Sequence, residues 1–269
     1  MKKIVALIST LLLTITLVGC GTNKESQNSS KTLIVGASPA PHAEILKFAK
    51  DKLHNQGIEL QIKEFTDYVV PNKALNEKEL DADYFQHIPY LNNFNEKNGT
   101  SLVPVAKVHA EPLSAYSQKI KSITELKNGS TIAIPNDNSN GTRALKLLEK
   151  QGLIKLKDKN AENITEKDIS ENPKQIKIKA TEAAQLPRLL DEVDIAIING
   201  NYALEAKLDT KNVLFLENIK DIEKHVNVLA TREDNKNDKK IASLIKVLNS
   251  DECKTFIESK YGKAVLPAK

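Results

Sequence analysis

The residues best equipped for chemistry are a scarce set in a lysine-rich chain. There are six Phe, six Tyr and no Trp, yet Tyr84, Phe85, His87 and Tyr90 fall close together, with Tyr68 a little upstream. Such a cluster offers flat faces to an apolar ligand group and a ring nitrogen at its edge. If residues 84–87 are extended, Phe85 and His87 share one face and Tyr84 takes the other. The competing reading puts Phe85 in the core and Tyr84 on the surface. Arginine is rare beside lysine, and Arg143 stands three residues after Asn140, in a strand-to-helix turn. A guanidinium there can grip a carboxylate with its planar fork, next to the free N–H groups of a helix start. The plainer alternative is a surface Arg in the first turn. Asn199 follows the apolar run 194–198, at the kind of strand end where open α/β sheets bind ligands. It reads as a polar contact or as the cap of a helix starting near Asn201; a contact at Asn199 and a cap at Asn201 reconcile the two. Asn227, between Val226 and Val228, either accepts from a ligand or satisfies neighbouring backbone.

Other chemistries lack their parts. His42, His54, His109 and His225 show no HxH or HExxH spacing and no accompanying acidic cluster, so no metal site is expected. His42, after Pro39-Ala40-Pro41, is expected to start the first helix and border a cleft. There is no GxSxG, no Cys nucleophile paired with His and Asn, and neither GxGxxG nor GxxxxGK[ST]. An enzyme and a cofactor are therefore not expected. Cys20 and Cys253 are the two cysteines. The net charge of +4 comes from interspersed charges of both signs, which argues against a nucleic-acid partner.

The elements that must hold these residues alternate. Strand patterns occupy 32–37, 58–65, 102–108, 113–116, 131–135, 176–180 and 194–198. Helical spacing occupies 42–53, the stretch from about 140 through Leu148, 238–248 and 252–261. Residues 155–173 read as a polar surface loop with a short helix. The alternation predicts an α/β chain of two lobes with a ligand cleft between them. The expected division is 32–115 plus 220–269 for lobe one and 116–219 for lobe two.

The N-terminus carries an address. Lys2 and Lys3 precede an almost wholly apolar run, 4–18, which ends in Leu17-Val18-Gly19-Cys20. This resembles a bacterial lipobox. It implies a signal peptide over 1–19, lipid (palmitate among the acyl chains) on Cys20, and attachment to the membrane on its extracytoplasmic face. Residues 20–31 read as a flexible tether. With Cys20 lipidated, Cys253 has no partner for an intrachain disulfide and reads as a small helix-face residue.

Five segments carry a wider resemblance: Thr66-Asp67-Tyr68-Val69-Val70-Pro71-Asn72, Asp81-Ala82-Asp83-Tyr84-Phe85-Gln86-His87-Ile88-Pro89-Tyr90, Ile134-Pro135-Asn136-Asp137, Ala196-Ile197-Ile198-Asn199-Gly200-Asn201-Tyr202-Ala203 and Val226-Asn227-Val228. Together they resemble the NlpA/MetQ family, the methionine-binding lipoproteins of an ABC importer. The resemblance implies a type II periplasmic-binding-protein-like fold, a monomer that docks on a membrane permease, and a ligand that is usually L-methionine. D-methionine, or a dipeptide such as glycyl-methionine, is the alternative. It implies ligand contacts at Tyr68, Phe85, His87, Tyr90 and Asn227 from lobe one, and at Arg143 and Asn199 from lobe two. A thioether packs well on aromatic faces, which suits the cluster. The chain departs from the family at Asn138-Ser139-Asn140, where Pro-Thr-Asn is frequent, and this puts the local loop shape in question. A surface interaction or adhesion lipoprotein is the reading from another class, but repeats and Pro/Thr stalks are lacking.

Overall fold

The computed structural model describes residues 31–268, which form one compact unit. The expected signal peptide, Cys20 and the tether up to Ser30 lie outside the described residues. The first sheet takes β1 (Thr32–Ala37), β2 (Glu59–Glu64), β3 (Ala82–His87), β4 (Leu102–Ala110) and, from far downstream, β12 (Val226–Arg232) and β13 (Leu266–Pro267). Its order is β13-β4-β12-β3-β1-β2, with β1 parallel to both neighbours and β12 antiparallel to both of its own. β1 is apolar because it lies inside the sheet with helices over it, as parallel strands generally do.

The second sheet takes β5 (Ser114–Tyr116), β6 (Thr131–Pro135), β9 (Lys177–Thr181), β10 (Ile195–Ile198) and β11 (Phe215–Leu216), in the order β11-β5-β10-β6-β9. Between β6 and β9 the surface segment 155–173 carries the expected short helix, a 3-10 turn at Glu166–Asp168, and in addition a small antiparallel pair, β7 (Lys155–Leu156) and β8 (Ile169–Glu171), that was not expected. The reason is apolar: Leu156 and Ile164, isolated in a polar stretch, are buried against Leu145 and Leu148 in the second core.

Among the described residues, eight α-helices cover the sheets: α1 (Glu44–His54), α2 (Val70–Asn76), α3 (Ile88–Asn98), α4 (Asn138–Lys150), α5 (Gly200–Glu205), α6 (Ile219–Ile222), α7 (Lys239–Leu248) and α8 (Asp251–Tyr261). α1 buries Ile45, Leu46, Ala49 and Leu53 against β1, at the spacing that a single helical face demands. α7 and α8 pack on the same core, where Cys253 is free and wholly buried. Burial pushes its thiol up to about 11. α4 starts at Asp137, whose carboxylate accepts from Asn140 N at 2.8 Å, a side-chain cap that ends the β6 turn.

The chain passes from the first sheet to the second between Ala110 and Ser114, and back between Leu216 and Val226. The border expected at 115 falls inside β5, because Ser114 and Ala115 already pair with β10. Glu217 braces the two connections: its Oε2 accepts from Leu113 N at 2.8 Å. No helix among the described residues is long and apolar enough to cross a membrane.

Candidate ligand-binding site

A narrow cavity lies between the two sheets, at the carboxyl ends of β3 and β10. All seven residues expected to meet a ligand line it. Phe85 and His87 come from the end of β3, Tyr90 from the first turn of α3, Tyr68 from the loop before α2, and Asn227 from the start of β12. Arg143 projects from α4, and Asn199 follows β10.

The aromatic half is built by one strand-to-helix turn. β3 is buried along its whole length. Its alternation sends Tyr84 into the first core, fully buried rather than at the surface, while Phe85 packs at the cavity wall. The Tyr68 ring lies 5.7 Å from Phe85, nearly parallel, and 5.5 Å from Tyr90, edge-on. Tyr90 Oη donates to Tyr68 O at 3.0 Å, which fixes the slot. His87 caps α3: its Nδ1 accepts from Tyr90 N at 3.2 Å, so Nε2 carries the proton and donates to Asn140 Oδ1 at 3.1 Å. Burial, with Arg143 adding repulsion, pushes the His87 imidazole down to about 3 and keeps it neutral.

The polar half is tied up more than the sequence suggests. Arg143 Nε and Nη2 donate to the two oxygens of Glu217, at 2.6 and 2.5 Å, and Nη2 also donates to Glu111 O at 2.7 Å. Nε and Nη2 are therefore occupied, and Nη1 is the guanidinium nitrogen left without a hydrogen bond among the described residues. Arg143 and Glu217 are both buried, so this is a desolvated ion pair rather than the surface Arg of the plainer reading.

Asn199 occupies the N-cap position of α5 but makes no capping bond. Its Nδ2 donates to Asn140 Oδ1 at 3.0 Å, and its buried Oδ1 has no partner. Asn201 is not a cap. It lies one residue inside the helix, where its Oδ1 accepts from Tyr68 Oη at 2.5 Å across the cleft. The helix starts earlier than expected because Gly200 can sit against Glu111: a Cβ there would lie 2.6 Å from Glu111 Oε2. Tyr202 Oη adds a further crossing bond, to Thr66 O at 3.3 Å.

Two histidines read as isolated are not. His42, in the turn before α1, and His109, near the end of β4, both direct Nε2 at Glu111 Oε1, at 3.5 and 2.7 Å. The acidic partner absent from the sequence pattern is supplied two residues after His109, and by the fold from a distance for His42. Tyr84 Oη pairs with His109 Nδ1, and His42 Nε2 pairs with Asn227 Oδ1 at 3.2 Å. Burial holds His42 near 4 and His109 near 3, so both are neutral, and it raises the Glu111 carboxyl. The three donors lie within 4.8 Å of one another, a set of the kind a divalent metal takes, but the nitrogens facing Glu111 already have hydrogen-bond partners.

Glu111, Asn140, Gly200, Asn201 and Gln86 also line the cavity without having been expected there as contacts. The available signal for Glu111 was a carboxylate between a β run and Pro112, and for Gly200 a glycine straight after a strand end.

Two open α/β sheets, joined by a double connection and closed over a cavity at their strand ends, define a two-lobe, type II periplasmic-binding-protein-like fold. Residues 33–269 match the model of the NlpA lipoprotein family, and the chain belongs to it. It is 38% identical to the methionine-binding lipoprotein MetQ of Bacillus subtilis, over 99% of each chain. It is 42% identical to the D-methionine-binding lipoprotein MetQ of Escherichia coli O157:H7, over 93% of this chain and 92% of that one. Among solved structures, a nutrient-binding protein from Burkholderia cenocepacia bound to methionine superposes with a TM-score of 0.83. That protein is 38% identical, and the match covers 88% of this chain and 100% of that one.

Proposed function

We propose that this chain is the extracytoplasmic substrate-binding lipoprotein of an ABC importer and that its ligand is methionine, the L-isomer by preference. The observation that carries this reading is the pairing, in one cavity, of an aromatic slot (Tyr68, Phe85, Tyr90) with a single guanidinium, Arg143. A thioether side chain suits the slot, and a carboxylate suits Arg143 Nη1.

The roles follow from position. Phe85, Tyr68 and Tyr90 hold the side chain, and His87 closes the slot as a neutral donor to Asn140. Arg143 and Asn199 hold the polar end, and Asn227 completes it from the first lobe. The lobes are the two sheets with their helices. Ligand contacts from both favour the closed form by differential affinity, alongside the crossing bonds Tyr68–Asn201, His87–Asn140 and Tyr202–Thr66. The protein acts as a monomer, returns its ligand unchanged, delivers it to a membrane permease, and is held at the membrane by lipid on Cys20.

Calorimetric titration of the purified, ligand-stripped protein tests this with L-methionine, D-methionine and glycyl-methionine. Submicromolar binding of L-methionine, weaker binding of the others and no turnover of any are the expected results. The absence of heat with all three overturns the methionine assignment.

A further inference from the structure

The mouth of the cavity nearest the interlobe connection holds a carboxyl with no charged partner of its own. Glu111 is buried, and among the described residues it makes no ion pair with a lysine or arginine. Its neighbours His42 and His109 are neutral imidazoles that occupy Oε1. Arg143 reaches Glu111 only through the backbone carbonyl, its own charge being paired with Glu217. The other oxygen, Oε2, lies against Gly200, where the missing Cβ is what admits it. Beside it on the same wall, Asn199 Oδ1 is a buried acceptor with no donor.

Asn199 Oδ1 is buried without a donor, and the buried Glu111 carboxyl, though it accepts from His109 Nε2 and from the Asn201 backbone, has no cation of its own; a ligand ammonium on this wall answers both. We infer that Glu111 is the specificity-determining counter-ion for the ligand's α-ammonium, received between Glu111 Oε2 and Asn199 Oδ1. This deepens, and rests on, the reading of the cavity as a free amino-acid site. Arg143 and Glu111 are the one cation and the one carboxyl lining it, so the cavity matches a zwitterion end to end. His42 and His109 act as positioning residues: they hold Oε1 and thereby aim Oε2. The arrangement also selects against ligands whose α-nitrogen is acylated. Glycyl-methionine presents a neutral amide N–H where the ammonium belongs, and it is disfavoured for that reason.

The test compares two ligands that differ only at that nitrogen, L-methionine and its desamino analogue γ-methylthiobutyrate, by calorimetry on the full chain in detergent. Glu111→Gln is expected to weaken L-methionine at least tenfold and to leave γ-methylthiobutyrate unchanged or tighter. Glu111→Asp, which keeps the charge on a shorter arm, is expected to recover part of the loss for L-methionine alone. It also serves if the Gln variant does not fold. Equal losses for both ligands, or an unchanged L-methionine affinity, would overturn the inference and leave Glu111 a structural residue. If the wild-type chain binds no methionine, the methionine reading falls by itself, and the comparison passes to whichever free amino acid does bind and its desamino analogue. Binding of no free amino acid overturns both.

Discussion

Removing Arg143 should do two separable things, and the structure says how to part them. Arg143→Met deletes two bonds to Glu217 and one to Glu111 O, and it leaves the Glu217 carboxylate, 4% exposed, facing a methyl group. Breaking one side of a buried pair costs about 3–5 kcal/mol. For a domain of this size each kcal/mol lowers Tm by about 2–4 °C, so the drop should be roughly 6–20 °C. Adding Glu217→Gln removes the stranded charge and keeps an oxygen for Leu113 N, so the double variant should regain most of the lost Tm. Ligand affinity should not return, because the ligand carboxylate still lacks Nη1. A lost hydrogen bond to a charged group costs on the order of 1.5–3 kcal/mol, about tenfold to somewhat over a hundredfold in Kd. Differential scanning calorimetry and titration on the wild type, both single variants and the double give the full cycle. A double variant that recovers affinity along with stability would refute the reasoning, since Arg143 would then act only as the partner of Glu217.

Phe85→Ala should weaken methionine more than alanine, because it opens the stack on Tyr68; equal losses in titrations would count against the aromatic slot. Gly200→Ala should weaken ligand binding at least tenfold and lower Tm as well. Its Cβ would lie 2.6 Å from Glu111 Oε2 and 2.7 Å from Glu111 Cβ; swinging the carboxyl relieves only the first clash, so the backbone must shift too, and an unchanged Kd and Tm would show that neither need move. Asp83, buried with an unpartnered Oδ2, is pushed up to about 8 by desolvation. A raised carboxyl pKa means the folded state binds the proton more tightly. Its contribution is intact below about pH 4, the unfolded value, and is lost as pH rises through about 8. Asp83→Asn should therefore change Tm little at about pH 4 and raise it by several degrees at about pH 9; a constant difference across that range would refute the assignment.

Part of the order of strands and helices was legible where the periods are clean: β1, β6 and β10 are short apolar runs, and α1 and α7 repeat their apolar residues on one face. The aromatic half of the cavity was legible for a related reason, since Phe85, His87 and Tyr90 are neighbours on one strand and the helix it feeds. The polar half was not. Arg143 meets Glu217 across 74 positions, and His42 meets Asn227 across 185. No local pattern encodes those encounters, so the guanidinium looked free and the histidines looked solitary. Asn201 was misread by a shift of helix phase: one residue moves its side chain from a capping position to the cleft. The small strand pair within 155–173 was missed because burial there rests on single apolar residues, too sparse to show a period.

The place of β12 in the first sheet also has a meaning in time. It is the strand between β3 and β4, yet it is made only after the whole of the second lobe, roughly a hundred residues beyond β4. A chain that emerges N-terminus first, from a ribosome or across a membrane, leaves the first sheet split down its middle until those later residues follow. During that interval β3 and β4 each present an open edge and share no hydrogen bonds, so neither half can close over its apolar face. Strand order thus sets a schedule: the lobe that begins first is the lobe that finishes last, and the chain stays unfinished until nearly all of it has been made.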